Sequence, residues 1–215
     1  MGLDSSTRIL AIRHGETAWN RETRIQGQLD IGLNERGRAQ AQALAEALRG
    51  EPVAAIYSSD LLRAQDTARA IAASTGAPMH LDTALRERDF GHFQGLTWDE
   101  IATQFPEDSQ RWRQRDLAFS PGGGESLPVF YERCLGAVLR IAAQHPGEEI
   151  AIVAHGGVLD CLYRAGTRQT LQAPRTWQVG NATINRLLYT PEGLSVTGWN
   201  DDSHLSQLTL DEISP

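Results

Sequence analysis

The chain alternates between short β-rich runs and longer helical segments over most of its 215 residues. The pattern predicts strands at 7–12, 53–57, 79–81, 149–154, 183–189 and 194–199, and helices at 35–48, 60–74, 97–105, 126–144 and from 158 onward. Strands that alternate with helices favour an α/β fold with a mostly parallel sheet. The last two strands, separated by a Pro-Glu-Gly turn, predict a hairpin.

Polar side chains at the ends of these segments support the boundaries. Asn34 and Ser59 are predicted as the N-caps of the first two long helices, and Gly76 follows the second. Thr97 and Glu100 have the spacing of a capping box. A helix is therefore expected to start at residue 97 and to stop before Pro106.

One polar stretch interrupts the alternation. Residues 107–125 mix arginines with Trp112 and end in a run of three glycines. The stretch is typical of an excursion from the core. We expect a single domain over residues 1–215, with a cap inserted at about 96–125.

Composition narrows the range of partners. A net charge of −7 makes nonspecific nucleic-acid binding a poor prediction, although a local group of arginines could still bind a small anion. No apolar run approaches the ~18 residues of a membrane span, and no secretory signal is evident, so we expect a cytoplasmic protein without membrane contact. Cys134 and Cys161 lie in apolar stretches and are predicted as buried free thiols.

Polar residues follow the predicted strands at the edge where open α/β sheets bind ligands. Arg13 and His14 follow the first strand, and Arg63 lies in the first turn of the helix after the second. Glu87 follows the third strand and His155 the fourth. The fold is therefore expected to bring two arginines, two histidines and a carboxylate together.

These residue types suit phosphoryl transfer, whose transition state spreads negative charge over three oxygens. Arginine offers a permanent charge and a fork matched to phosphate, and neutral imidazole is a competent nucleophile. Glu87 is the candidate proton donor. Arg86 and Arg88 flank it but should face away on an extended segment. Asp89 is the alternative acid.

Several motifs, taken in order, resemble the histidine phosphatase superfamily, also called the phosphoglycerate mutase-like family. They are Arg13-His14-Gly15-Glu16-Thr17, Trp19-Asn20, Arg24-Ile25-Gln26-Gly27, Leu33-Asn34-Glu35-Arg36-Gly37, Ser58-Ser59-Asp60-Leu61-Leu62-Arg63-Ala64, residues 85–95, and His155-Gly156-Gly157. The resemblance covers nearly the whole chain and implies a three-layer α/β/α sandwich that needs neither metal nor cofactor.

The resemblance also implies roles for single residues. His14 would be the phosphorylated nucleophile and Glu87 the proton donor, with Arg13, Arg63 and His155 completing the catalytic set. Gln94 departs from the family pattern, since phosphatase-like members often have glutamate there. The predicted phosphate- and substrate-binding residues are Arg13, Asn20, Gln26, Gly27, Arg63, His155 and Gly156.

Three functions are compatible with this set. The favoured one is a metal-independent phosphatase that hydrolyses small-molecule phosphate esters through a phosphohistidine on His14. The alternative is a cofactor-dependent phosphoglycerate mutase, which is disfavoured because classical mutases have a longer segment between the acid and the second histidine than Glu87 to His155. The third is a catalytically silent phosphate-binding protein. It is disfavoured because every member of the predicted catalytic set is present. The sequence leaves a homo-oligomer open.

Overall fold

The computed structural model describes residues 5–206 and 208. Within these residues, six strands form one sheet: β1 (Thr7–Arg13), β2 (Val53–Ser58), β3 (Met79–Leu81), β4 (Glu149–Ala154), β5 (Ile184–Thr190) and β6 (Gly193–Asp201). Their order is β3-β2-β4-β1-β5-β6, and β1 to β4 are mutually parallel. β5 pairs antiparallel with β1 and with β6. The mostly parallel sheet and the terminal hairpin are confirmed.

The described residues also form seven helices: α1 (Ala18–Arg21), α2 (Glu35–Ala47), α3 (Leu62–Thr75), α4 (Trp98–Gln104), α5 (Pro106–Arg113), α6 (Leu127–Ala142) and α7 (Gly156–Thr167). Short 3-10 turns lie at Thr83–Leu85, Gly91–Phe93 and Ser203–Leu205. Within the described residues, no helix is both long and apolar enough to cross a membrane.

The sheet separates two hydrophobic cores. Successive side chains of a strand point to opposite faces, so Leu10 of β1 packs in one core and Ile9 in the other. The Leu10 side is covered by α2 and α3, where Leu44 is fully buried. The Ile9 side is covered by α6 and α7, through Val138 and Leu159. The α/β class and the three-layer arrangement are therefore confirmed.

The two cysteines belong to α6 and α7 and are buried in the core that these helices form with the sheet. Cys134 and Cys161 are buried free thiols, as predicted. Burial raises the pKa of both thiols, so neither is activated as a nucleophile.

Side-chain caps begin α2 and α4 at the predicted places. Asn34 accepts a hydrogen bond from the Gly37 amide at 2.8 Å and starts α2. Thr97 and Glu100 form the predicted capping box of α4. Each cap satisfies amides that have no partner inside the helix.

The predicted N-cap of the second long helix is wrong. α3 begins at Leu62, and Leu61 occupies the N-cap position without a side-chain hydrogen bond to the helix. Ser59 lies before the helix, where its Oγ accepts from the Leu61 amide at 3.3 Å and contacts His155. The serine at the end of β2 is thus directed to the sheet edge and not to the helix start.

The polar segment 107–125 is more regular than the sequence indicated. Pro106 ends α4 and opens α5, because proline lacks the amide that the first turn of a helix leaves unpaired anyway. Ile101 and Phe119 pack with Ile25 and Phe93 in a hydrophobic cluster separate from the two main cores. The cluster supports the idea of a cap, whose boundaries at about 96–125 stay a prediction.

The loop after β1 touches the start of α2 backbone to backbone. A Cβ on Gly37 would lie 2.0 Å from the carbonyl oxygen of Glu16, and one on Gly15 would lie 2.5 Å from the carbonyl oxygen of Gly37. Only glycine permits this approach. It fixes the loop that carries His14.

Candidate active site

The carboxyl ends of β1 and β4 place two histidines side by side. Arg13 pairs with Ala154 as the last residues of these parallel strands, so His14 and His155 follow at the same edge. The His14 amide donates to the Ala154 carbonyl at 3.0 Å. The two ring centroids are 5.2 Å apart, and both side chains are buried.

The hydrogen bonding of His14 determines which ring nitrogen is reactive. Its Nδ1 lies 2.7 Å from the Gly15 carbonyl oxygen, which can only accept, so Nδ1 carries the proton. The other nitrogen, Nε2, keeps its lone pair. Burial, and then the charges of Arg63 and Arg13, hold the pKa of His14 well below its usual range. The ring is therefore a neutral nucleophile at neutral pH.

His155 is positioned by a serine. Its Nε2 lies 2.8 Å from the Ser59 Oγ, and that oxygen accepts from the Leu61 amide, which leaves the hydroxyl proton for Nε2. A serine hydroxyl that donates to Nε2 leaves the proton of His155 on Nδ1, a buried atom without a hydrogen-bond partner among the described residues. Burial, followed by the charge of Arg63, lowers the pKa of His155 well below its usual range.

Two guanidinium groups are held beside the histidines by backbone carbonyls. Arg13 donates from Nη1 to Val179 at 2.6 Å, and Arg63 donates to Leu29 at 2.8 Å and Gly27 at 2.6 Å. In the described part of the chain, the buried Nε of each arginine has no hydrogen-bond partner. Burial lowers the pKa of each to about 10, so both remain charged at neutral pH.

Glu87 reaches the same site from the segment after β3. Its Oε2 accepts from the Gly157 amide at 2.9 Å, and its Oε1 accepts from the Arg88 amide at 2.9 Å. The carboxylate charge raises the pKa of Arg13 and Arg63, against the larger effect of their burial. The five residues expected to meet at the sheet edge are thus brought together.

The start of α7 differs from the sequence prediction. The helix begins at Gly156, two residues before the expected start near Val158, and His155 occupies its N-cap position. Glycine has low helix propensity, which is why the pattern missed the first turn. The earlier start turns the Gly157 amide toward Glu87.

The arginines that flank Glu87 bind elsewhere. The Arg86 guanidinium pairs with Asp60 through two hydrogen bonds of 2.7 and 2.6 Å. The Arg88 guanidinium donates to the Glu125 carbonyl at 2.8 Å and is buried. Neither guanidinium bonds to the Glu87 carboxylate, as expected from their alternating positions.

The alternative acid, Asp89, holds a turn. Its Oδ1 accepts from the Gly91 amide at 2.8 Å. Gln94, where family members often have glutamate, accepts from the Gln28 amide at 2.6 Å and packs on Gly27. Gln94 therefore anchors the loop whose Gly27 carbonyl holds Arg63, whereas Glu87 bonds to the start of α7 beside His155.

The remaining predicted binding residues lie around this centre. Asn20 uses Oδ1 to accept from the Thr17 amide at 3.0 Å in the capping box of α1. Gln26 is buried, and its Oε1 has no hydrogen-bond partner among the described residues. A Cβ on Gly156 would lie 3.5 Å from the Arg13 Nε, so this glycine packs under that guanidinium.

Sequence reasoning missed several residues that position the site. Asn181 donates to the carbonyl oxygen of His14 at 3.0 Å. Thr67 accepts from the Gly15 amide at 3.0 Å and donates to the Arg63 carbonyl at 2.9 Å. Ser59 carried a usable signal, because it follows a strand end, whereas Asn181 and Thr67 carried none.

Arg133 of α6 fixes the backbone of the segment that carries Glu87. It donates to the carbonyl oxygen of Glu87 at 3.2 Å, to that of Arg86 at 3.0 Å and to that of Ala84 at 2.9 Å. Its charge is balanced by Glu125 at 2.7 Å. The segment that carries Glu87 is therefore fixed to α6.

Metal ions in proteins are held by several ligating side chains that lie close together. Within residues 5–206 and 208, no group of three or more His, Cys, Asp or Glu side chains is arranged to hold a metal ion. The expectation of a reaction without metal or cofactor stays a prediction.

Comparison with known proteins identifies the family. The family model described as the histidine phosphatase superfamily (branch 1) matches residues 9–202. The chain is 42% identical over 206 residues to the metal-independent phosphoserine phosphatase of Arabidopsis thaliana, covering 94% of this chain and 84% of the relative. It is 42% identical over 203 residues to phosphoglycerate mutase-like protein 4 of the same organism, covering 93% and 87%.

A solved structure agrees with the sequence relatives. A mycobacterial glucosyl-3-phosphoglycerate phosphatase superposes with a TM-score of 0.82 at 34% identity, over 92% of this chain and 100% of that one. The family resemblance seen in the motifs is confirmed. Edge histidines, paired guanidinium groups and full-length similarity together place this chain in the histidine phosphatase superfamily.

Proposed function

We propose that the chain is a metal-independent phosphomonoesterase that passes the phosphoryl group of a small phosphate ester first to Nε2 of His14 and then to water. One observation carries the proposal above all. The Gly15 carbonyl holds the proton of His14 on Nδ1, which leaves the Nε2 lone pair available beside two guanidinium groups. As a family member with phosphatase relatives, the chain is a phosphoric monoester hydrolase.

In the first step, Nε2 of His14 attacks phosphorus and the ester P–O bond breaks. The N–H groups of Arg13, Arg63 and His155 stabilise the charge on the equatorial oxygens. Glu87 donates a proton to the departing oxygen, so the alcohol leaves neutral. The products are the free alcohol and a phosphohistidine.

In the second step, water attacks the phosphohistidine. Glu87, now a carboxylate, takes the proton from that water, and the P–N bond breaks to release inorganic phosphate. Nε2 of His14 regains its lone pair, and Glu87 regains its proton. The cycle needs no metal because the two arginines supply the positive charge that a metal would otherwise provide.

The remaining predicted residues would complete the pocket. Asn20 can donate its amide Nδ2 toward a phosphoryl oxygen, and the buried Gln26 can donate its own. Gly27 and Gly156 act through their backbones, since one holds Arg63 and the other packs under Arg13. These roles belong to the proposal.

The mutase alternative is less supported. A mutase must hold the alcohol product and exclude water until the phosphoryl group returns. Several relatives carry mutase names, and others that match nearly the whole chain are named phosphatases, among them one of the two 42% identical relatives. Phosphoserine and glucosyl-3-phosphoglycerate, named for those phosphatases, are the first candidate substrates. Cytoplasmic location and a homo-oligomer remain predictions.

A partition experiment separates the two functions. The enzyme receives 3-phosphoglycerate with a trace of 2,3-bisphosphoglycerate, and both 2-phosphoglycerate and inorganic phosphate are followed. We expect phosphate release to dominate, alongside hydrolysis of O-phosphoserine, and both activities to be lost in His14→Ala. Formation of 2-phosphoglycerate much faster than hydrolysis of any phosphomonoester would replace the phosphatase assignment by the mutase.

A further inference from the structure

A second group of arginines lies one helical turn from the phosphate pocket. Asp160 of α7 is four residues beyond Gly156 and therefore on the same helix face. Its Oδ2 lies 2.9 Å from the Arg164 Nε and 3.7 Å from the Arg115 Nη2, and its Oδ1 lies 3.9 Å from the Arg175 Nε. We call these four residues, Asp160, Arg115, Arg164 and Arg175, the Asp160 cluster.

Positive charge exceeds negative charge in the Asp160 cluster. Three guanidinium groups share one carboxylate, and the Asp160 Oδ1 has no hydrogen-bond partner within the described residues. Arg13 and Arg63 nearby are already matched to the charge of a phosphate monoester. The surplus in the Asp160 cluster is therefore suited to another anion on the same substrate.

Two of the three arginines have structural partners. The side chain of Arg164 is fully buried, and its Nη1 donates to the carbonyls of Thr170 and Ala173 at 2.6 and 3.0 Å. Arg115 donates from Nε to the carbonyl of Leu171. Both arginines thus fix the segment after α7, which carries Arg175.

Arg175 differs from both. Its Nε donates to the Trp177 carbonyl at 3.1 Å, but neither terminal nitrogen makes a hydrogen bond to any described residue. Its side chain is 40% exposed, so these donors reach solvent. The group is close enough to Arg13 that its charge lowers the pKa of that arginine. The same segment continues to Val179, whose carbonyl accepts from Arg13 at 2.6 Å, so Arg175 lies beside the pocket on the side of Arg13.

We propose that Arg175 binds a carboxylate of the substrate, and that the preferred substrates are phosphate esters of small hydroxy acids. The inference rests on the proposed phosphatase function and specifies its substrate class. A guanidinium fork matches the two oxygens of a carboxylate. Gly156 packs under Arg13, and Asp160 is one turn further along α7. A substrate whose carboxylate is a few bonds from phosphorus would therefore place its phosphate at Arg13 and its carboxylate at Arg175.

The contact between Arg175 and Asp160 is not needed for the stability of the fold. The separation of 3.9 Å is longer than a hydrogen bond, and an ion pair at this exposure contributes little to stability. Replacing Arg175 should therefore leave the fold intact.

The test uses two esters that differ in one group. 3-Phosphoglycerate carries a carboxylate where glycerol 3-phosphate carries a hydroxymethyl group. We expect the wild type to prefer 3-phosphoglycerate, and Arg175→Ala to lower its kcat/KM roughly 10- to 100-fold, the range for a lost hydrogen bond to a charged group, mostly through KM. The kcat/KM for glycerol 3-phosphate should change by less than about threefold.

Two further variants sharpen the comparison. Arg113→Ala removes an exposed arginine at the end of α5 and should leave kcat/KM unchanged for both esters. Arg175→Lys keeps the charge but loses the fork, so it should restore part of the preference. Calorimetric binding of 3-phosphoglycerate to His14→Ala, with and without Arg175→Ala, gives the same comparison without turnover.

The outcomes separate this inference from the function on which it rests. If Arg175→Ala lowers kcat/KM equally for both esters, or for neither, the proposed carboxylate site is wrong but the phosphatase function is unaffected. If the wild type hydrolyses glycerol 3-phosphate as well as 3-phosphoglycerate, the substrate class is wrong. If no phosphomonoester is hydrolysed at all, the proposed function and the inference both fail.

Discussion

Adding a single methyl group at residue 157 should disable the proposed acid. A Cβ on Gly157 would lie 2.2 Å from the Glu87 Oε1, 3.1 Å from its Cδ and 3.1 Å from the Phe130 Cε1. Nonbonded carbon atoms pack at about 3.5–4.0 Å. In Gly157→Ala the carboxylate must therefore retreat by about 1 Å, which disturbs its hydrogen bond with the Gly157 amide.

A displacement of that size has a measurable cost. Moving a catalytic group by 1 Å can lower a rate by about 100-fold. We expect Gly157→Ala to lower kcat/KM for an alkyl phosphate such as O-phosphoserine by about that factor. The loss should be smaller for p-nitrophenyl phosphate, whose phenolate leaves without a proton and which needs Glu87 only to activate water in the second step.

The assay compares the two kcat/KM values in one variant, because kcat/KM reports the first transfer, in which the leaving group departs, and not the second step that both esters share. Alanine is about 1 kcal/mol more favourable than glycine inside a helix, so the thermal midpoint should not fall far. Gly136→Ala in α6 is the matched control, because a Cβ there meets no atom within 4 Å. A Gly157→Ala enzyme with the wild-type ratio of alkyl to aryl activity would refute the role of Glu87 as the acid.

Three further predictions test the histidines and the metal independence of the reaction. Ser59→Ala removes the hydrogen bond to His155 and should lower kcat several-fold, since such a bond is worth about 1 kcal/mol; an unchanged kcat would contradict this role. Below about pH 6.5 the histidines of the unfolded chain bind protons, whereas the buried His14 and His155 of the folded chain stay neutral. The free energy of unfolding should therefore decrease as the pH is lowered. His14→Asn should flatten that slope by up to about 1.4 kcal/mol per pH unit in urea unfolding, and an identical slope would show that His14 titrates normally. EDTA should leave activity unchanged and vanadate should inhibit; activity lost in EDTA and restored by Mg²⁺ would contradict the metal-independent reaction.

The parts of the site that follow strand ends were predictable. Arg13 ends β1, His14 follows it and His155 follows β4, and parallel strands carry their carboxyl ends to one edge. Arg63 and Glu87 follow β2 and β3 at greater distance and still reach that edge. The prediction needed only the order of strands, because the sheet performs the positioning.

The supporting contacts were not predictable for a physical reason. Asn181 and Thr67 act through hydrogen bonds to backbone atoms that are 167 and 52 positions away in the chain. Such bonds depend on how loops pack and leave no periodic pattern. The early start of α7 at Gly156 was missed because tertiary contacts, such as that of Gly157 with Glu87, outweigh the low helix propensity of glycine.

The central claim is that the phosphoryl group is held covalently on His14 during turnover. The direct measurement is a rapid acid-free quench of the wild-type enzyme with radiolabelled O-phosphoserine, followed by peptide mapping. We predict label on Nε2 of His14 that survives alkali and is lost in acid, and no label in His14→Ala. Label on a serine or an aspartate, or label that persists in His14→Ala, would contradict the account.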